Sequence, residues 1–121
     1  MYFVLFVLHD ISKINELLLA WEEAGVKGIT VLLSTGLGRI RQNYGLMEDF
    51  PLFPSMSDLL ERMEDMDLSR TLFTVVDSDQ IVNNVFQQTQ KVVGDLNNPN
   101  TGILIVLPVA HVYGLKSYKS D

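Results

Sequence analysis

Four short apolar runs divide the chain into predicted strands and the stretches between them. Residues 2–8 are apolar at every position, rich in aromatic and β-branched side chains, and too few for a helix, which predicts a strand buried on both faces. Comparable runs at residues 29–34, 71–76 and 102–109 predict three more strands. The continuous apolar character of the first and last runs indicates that neither face of the sheet meets water.

The stretch between the first two strands predicts an amphipathic helix. Asp10 or Ser12 can cap its start, and Gly25 stands where a helix C-cap belongs. Its apolar face comprises Ile14, Leu17, Leu18 and Trp21. Because these positions recur at helical spacing, we expect the helix to pack this side against the sheet.

A second helix is predicted after the third strand. Asp77 and Gln80 have the spacing of a capping box, and the helix ends near Gly94. Its apolar face comprises Ile81, Val82, Val85, Phe86, Val92 and Val93. The order strand, helix, strand, strand, helix, strand predicts an α+β, ferredoxin-like (βαββαβ) fold with a four-stranded antiparallel sheet, in a single domain spanning residues 1–121.

This topology places two loops at one end of the sheet, the connection between strands two and three and the loop before strand four. His9 and Asp10 belong to that end and His111 to the opposite one, so a two-histidine metal site would need a second subunit.

Both helices cover one face of the sheet, and the other face is also apolar. A second copy of the chain is the expected cover, and the alternative is that the segment between strands two and three folds back over it.

The charge of the chain is concentrated in that same segment. The sequence has 15 acidic and 9 basic residues, for a formal net charge of -6, which argues against nucleic acid or an anionic membrane as the main partner. Residues 46–68 contain seven acids and one arginine, so the acidic excess lies there. Within this insertion, residues 55–66 have the pattern of an extra helix, with methionines and leucines on one face.

Composition also limits the chemistry. The chain contains no cysteine, which excludes disulfides, thiolate metal sites and thiol catalysis. The apolar start has no basic leader and is too short for a membrane span, so we expect no membrane insertion and a cytoplasmic location. No nucleophile with a base partner, carboxylate dyad or metal triad is apparent, so we expect a protein that is not an enzyme and holds no metal.

Glycine-containing segments stand at corresponding points in the two halves of the chain. Residues 25–31 (GVKGITV) are followed at close spacing by Gly36-Leu37-Gly38-Arg39, and residues 89–95 are followed by the strand ILIVLPV at residues 103–109. These segments resemble the PII family (nitrogen regulatory protein P-II) around its T-loop base and its B-loop. The resemblance covers nearly the whole chain except the insertion at about residues 40–69.

The resemblance implies a signalling function. In PII proteins the clefts between the subunits of a homotrimer bind ATP or ADP, and the T-loop engages a membrane transporter or an enzyme. It therefore implies a nucleotide effector and a protein target for this chain. The effector-binding residues carried over by position are Thr30, Gly36, Gly38, Arg39, Gly94, Asp95 and Lys116. Physically, Gly36 and Gly38 with Gly94 and Gly102 could adopt positive φ and present N–H groups to a phosphate.

Two departures from the family pattern remove phosphate-binding charge. Residues 96–101 are inserted in the B-loop, and no lysine follows them. The two arginines of the family's strand-four tail correspond to Gly114 and Lys116 here. Each lost charge-assisted hydrogen bond would remove roughly 1.5 to 3 kcal/mol. Lys91, Arg41 and Lys116 are the candidate substitutes.

The T-loop equivalent carries aromatic residues among prolines. We interpret Arg41, Tyr44, Phe50 and Phe53 as a docking surface for a protein target, with the alternative that Phe50 and Phe53 anchor the loop on its own subunit. The leading hypothesis is a PII-like regulatory protein. The alternatives are a protein-interaction module of the same fold that has lost its ligand, and a trimeric metal-binding protein similar to the copper-tolerance family.

Overall fold

The computed structural model describes residues 1–36 and 68–115. The strands are β1 (Tyr2–Leu8), β2 (Thr30–Ser34), β3 (Ser69–Val76) and β4 (Ile103–Pro108). The helices are α1 (Ile14–Ala24), which follows a 3₁₀ turn at Ile11–Lys13, and α2 (Asp79–Val93). The four apolar runs therefore form the four strands, with the predicted first strand matching β1 at both ends.

The strands form one sheet in the order β2-β3-β1-β4, and every neighbouring pair is antiparallel. In this register Phe6 of β1 lies opposite Leu72 of β3 and Leu104 of β4. The predicted α+β class with a four-stranded antiparallel sheet and two helices is confirmed, and the arrangement is compatible with a ferredoxin-like fold. The predicted extra helix at residues 55–66 lies outside the described residues.

The core lies between the two helices and one face of the sheet. Val4, Phe6 and Leu8 alternate along β1 as fully buried residues, and α1 contributes Leu17 and Trp21 to the same cluster. The members from β3 and α2 are Leu72, Val76 and Val85. This alternation arises because successive strand residues point to opposite faces, so every second side chain of β1 meets the helices.

Two details of α2 correct the expectation from the sequence. The helix is capped by Ser78, whose hydroxyl accepts a hydrogen bond from the Ile81 N–H at 3.3 Å, and not by a capping box of Asp77 and Gln80. Gln80 instead donates to the Asn84 side chain one turn on. Phe86, which was assigned to the apolar face, is exposed. Although the helix cap lies one residue later than predicted, Val85 is buried in the core as the helical spacing indicates.

The second face of the sheet, here called the open face, has no described element packed against it. Its central side chains are Phe3, Leu5 and Val7 from β1 and Thr71, Phe73 and Val75 from β3. The flanking strands add Thr30, Leu32 and Ser34 from β2 and Ile103, Ile105 and Leu107 from β4. Phe3 and Phe73 lie in contact there, with ring centroids 5.6 Å apart. None of these side chains is charged, so the open face has the composition of an interior surface.

Candidate functional site

One end of the sheet gathers the segments that were expected to bind an effector. β1 and β2 finish there, and β3 and β4 begin there, because Val7 pairs with both Thr71 and Ile103 while Ser34 pairs with Ser69. This end, here called the loop end, therefore carries both ends of the β2–β3 connection and the end of the α2–β4 loop. The predicted placement of the two loops at one end is confirmed.

The described glycines Gly36 and Gly102 lie far apart within one chain. Gly36 follows β2 and Gly102 precedes β4, and these are the two outer strands of the sheet. Three interstrand spacings of about 4.8 Å separate the outer strands, or roughly 14 Å in all. Gly36 and Gly102 of one chain are therefore too far apart to contact the same phosphate group.

The glycines of the loop end are not equivalent. Gly94 has φ 94° and Gly102 has φ 137°, in the region that favours glycine. A Cβ on Gly102 would also lie 2.5 Å from the ring of Phe6 and from the Val7 carbonyl oxygen. Gly36 departs from the expectation, because it does not have positive φ and a Cβ there would meet nothing within 4 Å. Gly102 is thus required by packing on β1, whereas the backbone at Gly36 accepts other residues.

Thr30, a candidate effector-binding residue implied by the resemblance, lies apart from the described residues of the loop end. It is the first residue of β2 and lies opposite Phe73 in mid-sheet. Six residues of nearly extended chain, at about 3.3 Å each, put it roughly 20 Å from Gly36. Thr30 therefore does not join the loop end of its own chain. Gly38, Arg39, Lys116 and the docking residues Arg41, Tyr44, Phe50 and Phe53 lie outside the described residues.

Asp95 is exposed and organises its own loop. Its carboxylate accepts the Asn97 backbone N–H at 2.9 Å, and its carbonyl accepts that of Asn98 at 3.0 Å. Thr101 closes the same loop by donating its hydroxyl to the Asn98 carbonyl. Residues 95–101 thus form a hydrogen-bonded turn. One oxygen of Asp95 already has a partner within this turn.

A chain of three hydroxyl groups, which sequence reasoning missed, joins β2 to β3 at the loop end. Thr71 donates to the Ser34 hydroxyl at 2.9 Å, the Ser34 and Ser69 hydroxyls lie 2.9 Å apart, and Ser69 donates to the Ser34 carbonyl at 3.0 Å. With the Ser69 proton on that carbonyl, Ser34 donates to Ser69, so all three hydroxyl protons are used. The signal in the sequence was the pair of serines that border the predicted strands on either side of the insertion.

Besides Lys13 in the 3₁₀ turn after β1, two cations of the described chain lie at the loop end. Lys91 is in the last turn of α2, just before Gly94, so of the candidate substitutes it is the one that the structure places beside the α2–β4 loop. Arg70, also missed from the sequence, lies opposite Leu8 and Leu33 and donates to the carbonyls of Leu68 and Ser69. These guanidinium and ammonium groups could attract an anion to this end of the sheet.

The carboxylate of Asp10, the residue after His9, already accepts two hydrogen bonds within its own turn. Asp10 accepts hydrogen bonds from the Ser12 N–H at 3.1 Å and the Ser12 hydroxyl at 2.6 Å, which lower the pKa of its carboxyl below the ordinary value. It therefore caps the 3₁₀ turn before α1. This confirms Asp10 as a cap, although the turn that it caps precedes α1.

The two histidines lie at opposite ends of the sheet, as predicted. His9 follows β1 at the loop end, whereas His111 follows β4, which runs in the opposite direction. His111 stacks near Tyr113, with ring centroids 6.5 Å apart. Within residues 1–36 and 68–115 there is no group of three or more histidine, aspartate or glutamate side chains that could hold a metal ion.

No helix in the described part of the chain is long and apolar enough to cross a lipid bilayer. No protein-family model matches the sequence, and no curated protein matches it. The features that bear on function are therefore the geometry of the loop end, the open face and the residues that occupy them.

Proposed function

We propose that this chain is a PII-like regulatory protein with a ferredoxin-like fold that works as a cytoplasmic homotrimer. It binds a small anionic effector, with an adenine nucleotide as the first candidate, in the clefts between subunits. The insertion between β2 and β3, with Arg41, Tyr44, Phe50 and Phe53, binds a protein target such as a membrane transporter or an enzyme. The chain itself carries out no catalysis.

One observation carries the proposal. The loops that could cradle an anion emerge at the same end of the sheet, but from its two outer strands. A monomer therefore holds two separated halves of a site, and a ring of copies brings the half after β2 beside the half before β4. Effector binding and assembly would then be linked, because the ligand contacts two subunits at once.

The open face supplies a physical reason for assembly. Its side chains are apolar or hydroxyl-bearing, and the flanking Leu32, Ile103, Ile105 and Leu107 are each about half exposed. Removing the exposed half of such a side chain from water is worth about 1 kcal/mol. Four of them in each copy, together with the aromatic pair Phe3 and Phe73, give an interface a substantial hydrophobic term.

An anionic effector fits the loop end better than a neutral one. Lys91 and Arg70 lie at this end, and Gly94 and Gly102 present a backbone with positive φ. Arg39 stands five residues after the end of β2 in the sequence and would bring a further cation to the same cleft. These cations and N–H groups are a weaker set than the PII pattern implies, so we expect a nucleotide to bind less tightly here than in that family.

Isothermal titration calorimetry with ATP, ADP and AMP tests the proposal, with cyclic dinucleotides as further probes. We expect one of these nucleotides to bind, and Arg39→Ala and Lys91→Ala each to weaken that binding about tenfold or more. Lys27→Ala is the matched control, because Lys27 precedes β2 at the far end of the sheet from Gly36. Absence of binding by every nucleotide, or equal losses in Lys27→Ala, would overturn the effector site.

A ligand-free interaction module is the second candidate, and one observation favours it. Gly36 lacks the positive φ expected of a phosphate cradle, so this one residue does not have the backbone geometry predicted for anion binding. In that case the assembly would form and bind its protein target with unchanged affinity in the presence or absence of nucleotide. A target-binding measurement at saturating ATP separates the two functions.

A further inference from the structure

The loop between α2 and β4, residues 94–102, is attached to α2 through one residue, Gln90. The backbone carbonyl of Gln90 accepts the Gly94 N–H at 2.8 Å, and its side-chain oxygen Oε1 accepts the Leu96 N–H at 3.2 Å. In the described part of the chain these two hydrogen bonds join α2 to the loop. The first has the ordinary helical spacing of four residues, whereas the second depends on the identity of the side chain.

Leu96 ties the loop to the body of the protein. Its side chain is half-buried and packs against the core cluster. A backbone N–H that is partly withdrawn from water needs an acceptor, and Gln90 supplies it from six positions earlier in the chain. The side chain of Gln90 therefore determines the course of the chain after α2 ends.

The rest of the loop is closed by its own hydrogen bonds. The Asp95 carboxylate and carbonyl accept N–H groups of the loop, and the Thr101 hydroxyl donates to a carbonyl of the loop. At its end, Gly102 lies close against the ring of Phe6. The loop is thus held at two points, by Gln90 at its start and by the contact with Phe6 where β4 begins.

These bonds limit where an anion can contact the loop. The N–H groups of Leu96, Asn97 and Asn98 are already used within the protein. An anion must therefore contact the later part of the loop, where Asn100 turns the chain with φ 65°. The nearest cation in sequence is Lys91, in the last turn of α2 directly after Gln90.

We propose that Gln90 is a positioning residue of the effector site, which holds the α2–β4 loop so that the loop and Lys91 contact the same anionic group. This inference rests on the proposed function, because that function makes the loop and Lys91 parts of one site. Gln90 itself does not touch the effector and acts through Leu96. A loop that is already held in place loses less conformational freedom when a ligand binds, which favours binding.

The chemistry of glutamine suits this position. Glutamine is a good helix former, as its place in the last turn of α2 requires. Its amide oxygen accepts the Leu96 N–H without adding charge. A glutamate could accept the same N–H, but it would place a negative charge beside Lys91 and oppose the binding of an anion. A methionine has a similar length and helix propensity but no acceptor oxygen.

Hydrogen exchange tests whether Gln90 holds the loop. In Gln90→Met we expect the Leu96 amide to exchange about fivefold faster, the factor that corresponds to one hydrogen bond of ordinary strength. The acceleration should be confined to residues 95–101, whereas the loss of a general structural role would also accelerate exchange in α2 and the sheet. Gln87→Met is the matched control, because Gln87 is exposed and lies on α2 one turn earlier. Unchanged exchange at Leu96 in Gln90→Met would overturn the proposal.

Calorimetry with ATP, ADP and AMP tests whether this placement serves the effector. We expect Gln90→Met to bind the tightest of these nucleotides about fivefold more weakly than the natural chain, and Gln87→Met to bind it equally well. Gln90→Glu should keep the slow exchange of Leu96 but still bind the nucleotide more weakly, because of its charge. Equal affinity of Gln90→Met and Gln87→Met would overturn the positioning role.

The outcomes separate this inference from the proposed function. If the natural chain binds a nucleotide and Gln90→Met binds it equally well, the positioning role is wrong and the regulatory function stands. If the natural chain binds none of the nucleotides, the effector site is wrong and the positioning role falls with it.

Discussion

The indole N–H of Trp21 on α1 donates a hydrogen bond of 2.9 Å to the hydroxyl of Thr89 on α2, and both side chains are fully buried. This bond joins the two helices over the sheet. Thr89 therefore serves as the buried polar partner of the single tryptophan.

Thr89→Val should destabilise the fold by about 1 to 3 kcal/mol, because it keeps the shape of the side chain but leaves the indole N–H buried without an acceptor. Urea unfolding followed by Trp21 fluorescence measures the change. Thr89→Ser keeps the hydroxyl and serves as the control, with a smaller loss from the missing methyl group. Equal stability of Thr89→Val and the natural chain would show that the bond contributes nothing.

Gly102→Ala should destabilise the fold by more than 1 kcal/mol. A Cβ at this position would collide with the Phe6 ring and the Val7 carbonyl, and φ is 137°. Gly36→Ala is the matched control, because a Cβ there meets nothing within 4 Å and φ is not positive. We expect its stability to stay within about 0.5 kcal/mol of the natural chain or to rise. If thermal unfolding gave the reverse order, the assignment of Gly102 to close packing would be wrong.

Ser34→Ala removes the middle member of the hydroxyl chain at the loop end. Thr71 and Ser69 each lose a partner, so we expect faster amide hydrogen exchange at the end of β2 and the start of β3, and little change in β1. Ser12→Ala is the control, since the Ser12 hydroxyl bonds only to the exposed Asp10. Unchanged exchange at Leu33 and Arg70 in Ser34→Ala would mean that the hydroxyl chain does not hold the two strands together.

The stability of the protein should depend on Tyr2 at alkaline pH. Its hydroxyl bonds to the Asp79 carboxylate, which raises the pKa of Tyr2 above its ordinary value of 10.0. Because the folded state then binds the proton more tightly than the unfolded chain, this contribution is present below pH 10 and is lost as the pH rises through the raised pKa. We expect urea midpoints of the natural chain to fall more steeply above pH 10 than those of Tyr2→Phe. Parallel curves would contradict the pairing.

The sequence predicts best where one local rule decides the structure. The seven apolar residues of β1 form the predicted strand, although one face is only half-buried where burial on both faces is predicted, and Gly25 ends α1 with φ 110°. The α2 cap was misplaced by one residue, because Asp77 and Ser78 are both acceptable caps and only the backbone at Ser78 selects between them. Helical spacing predicts Phe86 on the apolar face of α2, but Phe86 is exposed at the margin of that face, because spacing fixes a face only to within one position.

The site was less predictable than the fold. From the sequence, Gly36 and Gly102 are equally good candidates for a phosphate-binding turn. Only the three-dimensional structure shows that Gly102 packs on Phe6 while Gly36 has free space. Thr30 was placed in the site by position in a family pattern, and the extended geometry of β2 carries it away from the loop end. The contact of Trp21 with Thr89 links residues 68 positions apart, so no local pattern could reveal it.

The central claim is that a single chain holds only half of an effector site and that several copies complete it. Multi-angle light scattering of the purified chain at micromolar concentration tests this most directly. The account predicts a mass three times the 13.7 kDa of one chain. A mass of one chain across that concentration range, with the fold intact, would contradict it.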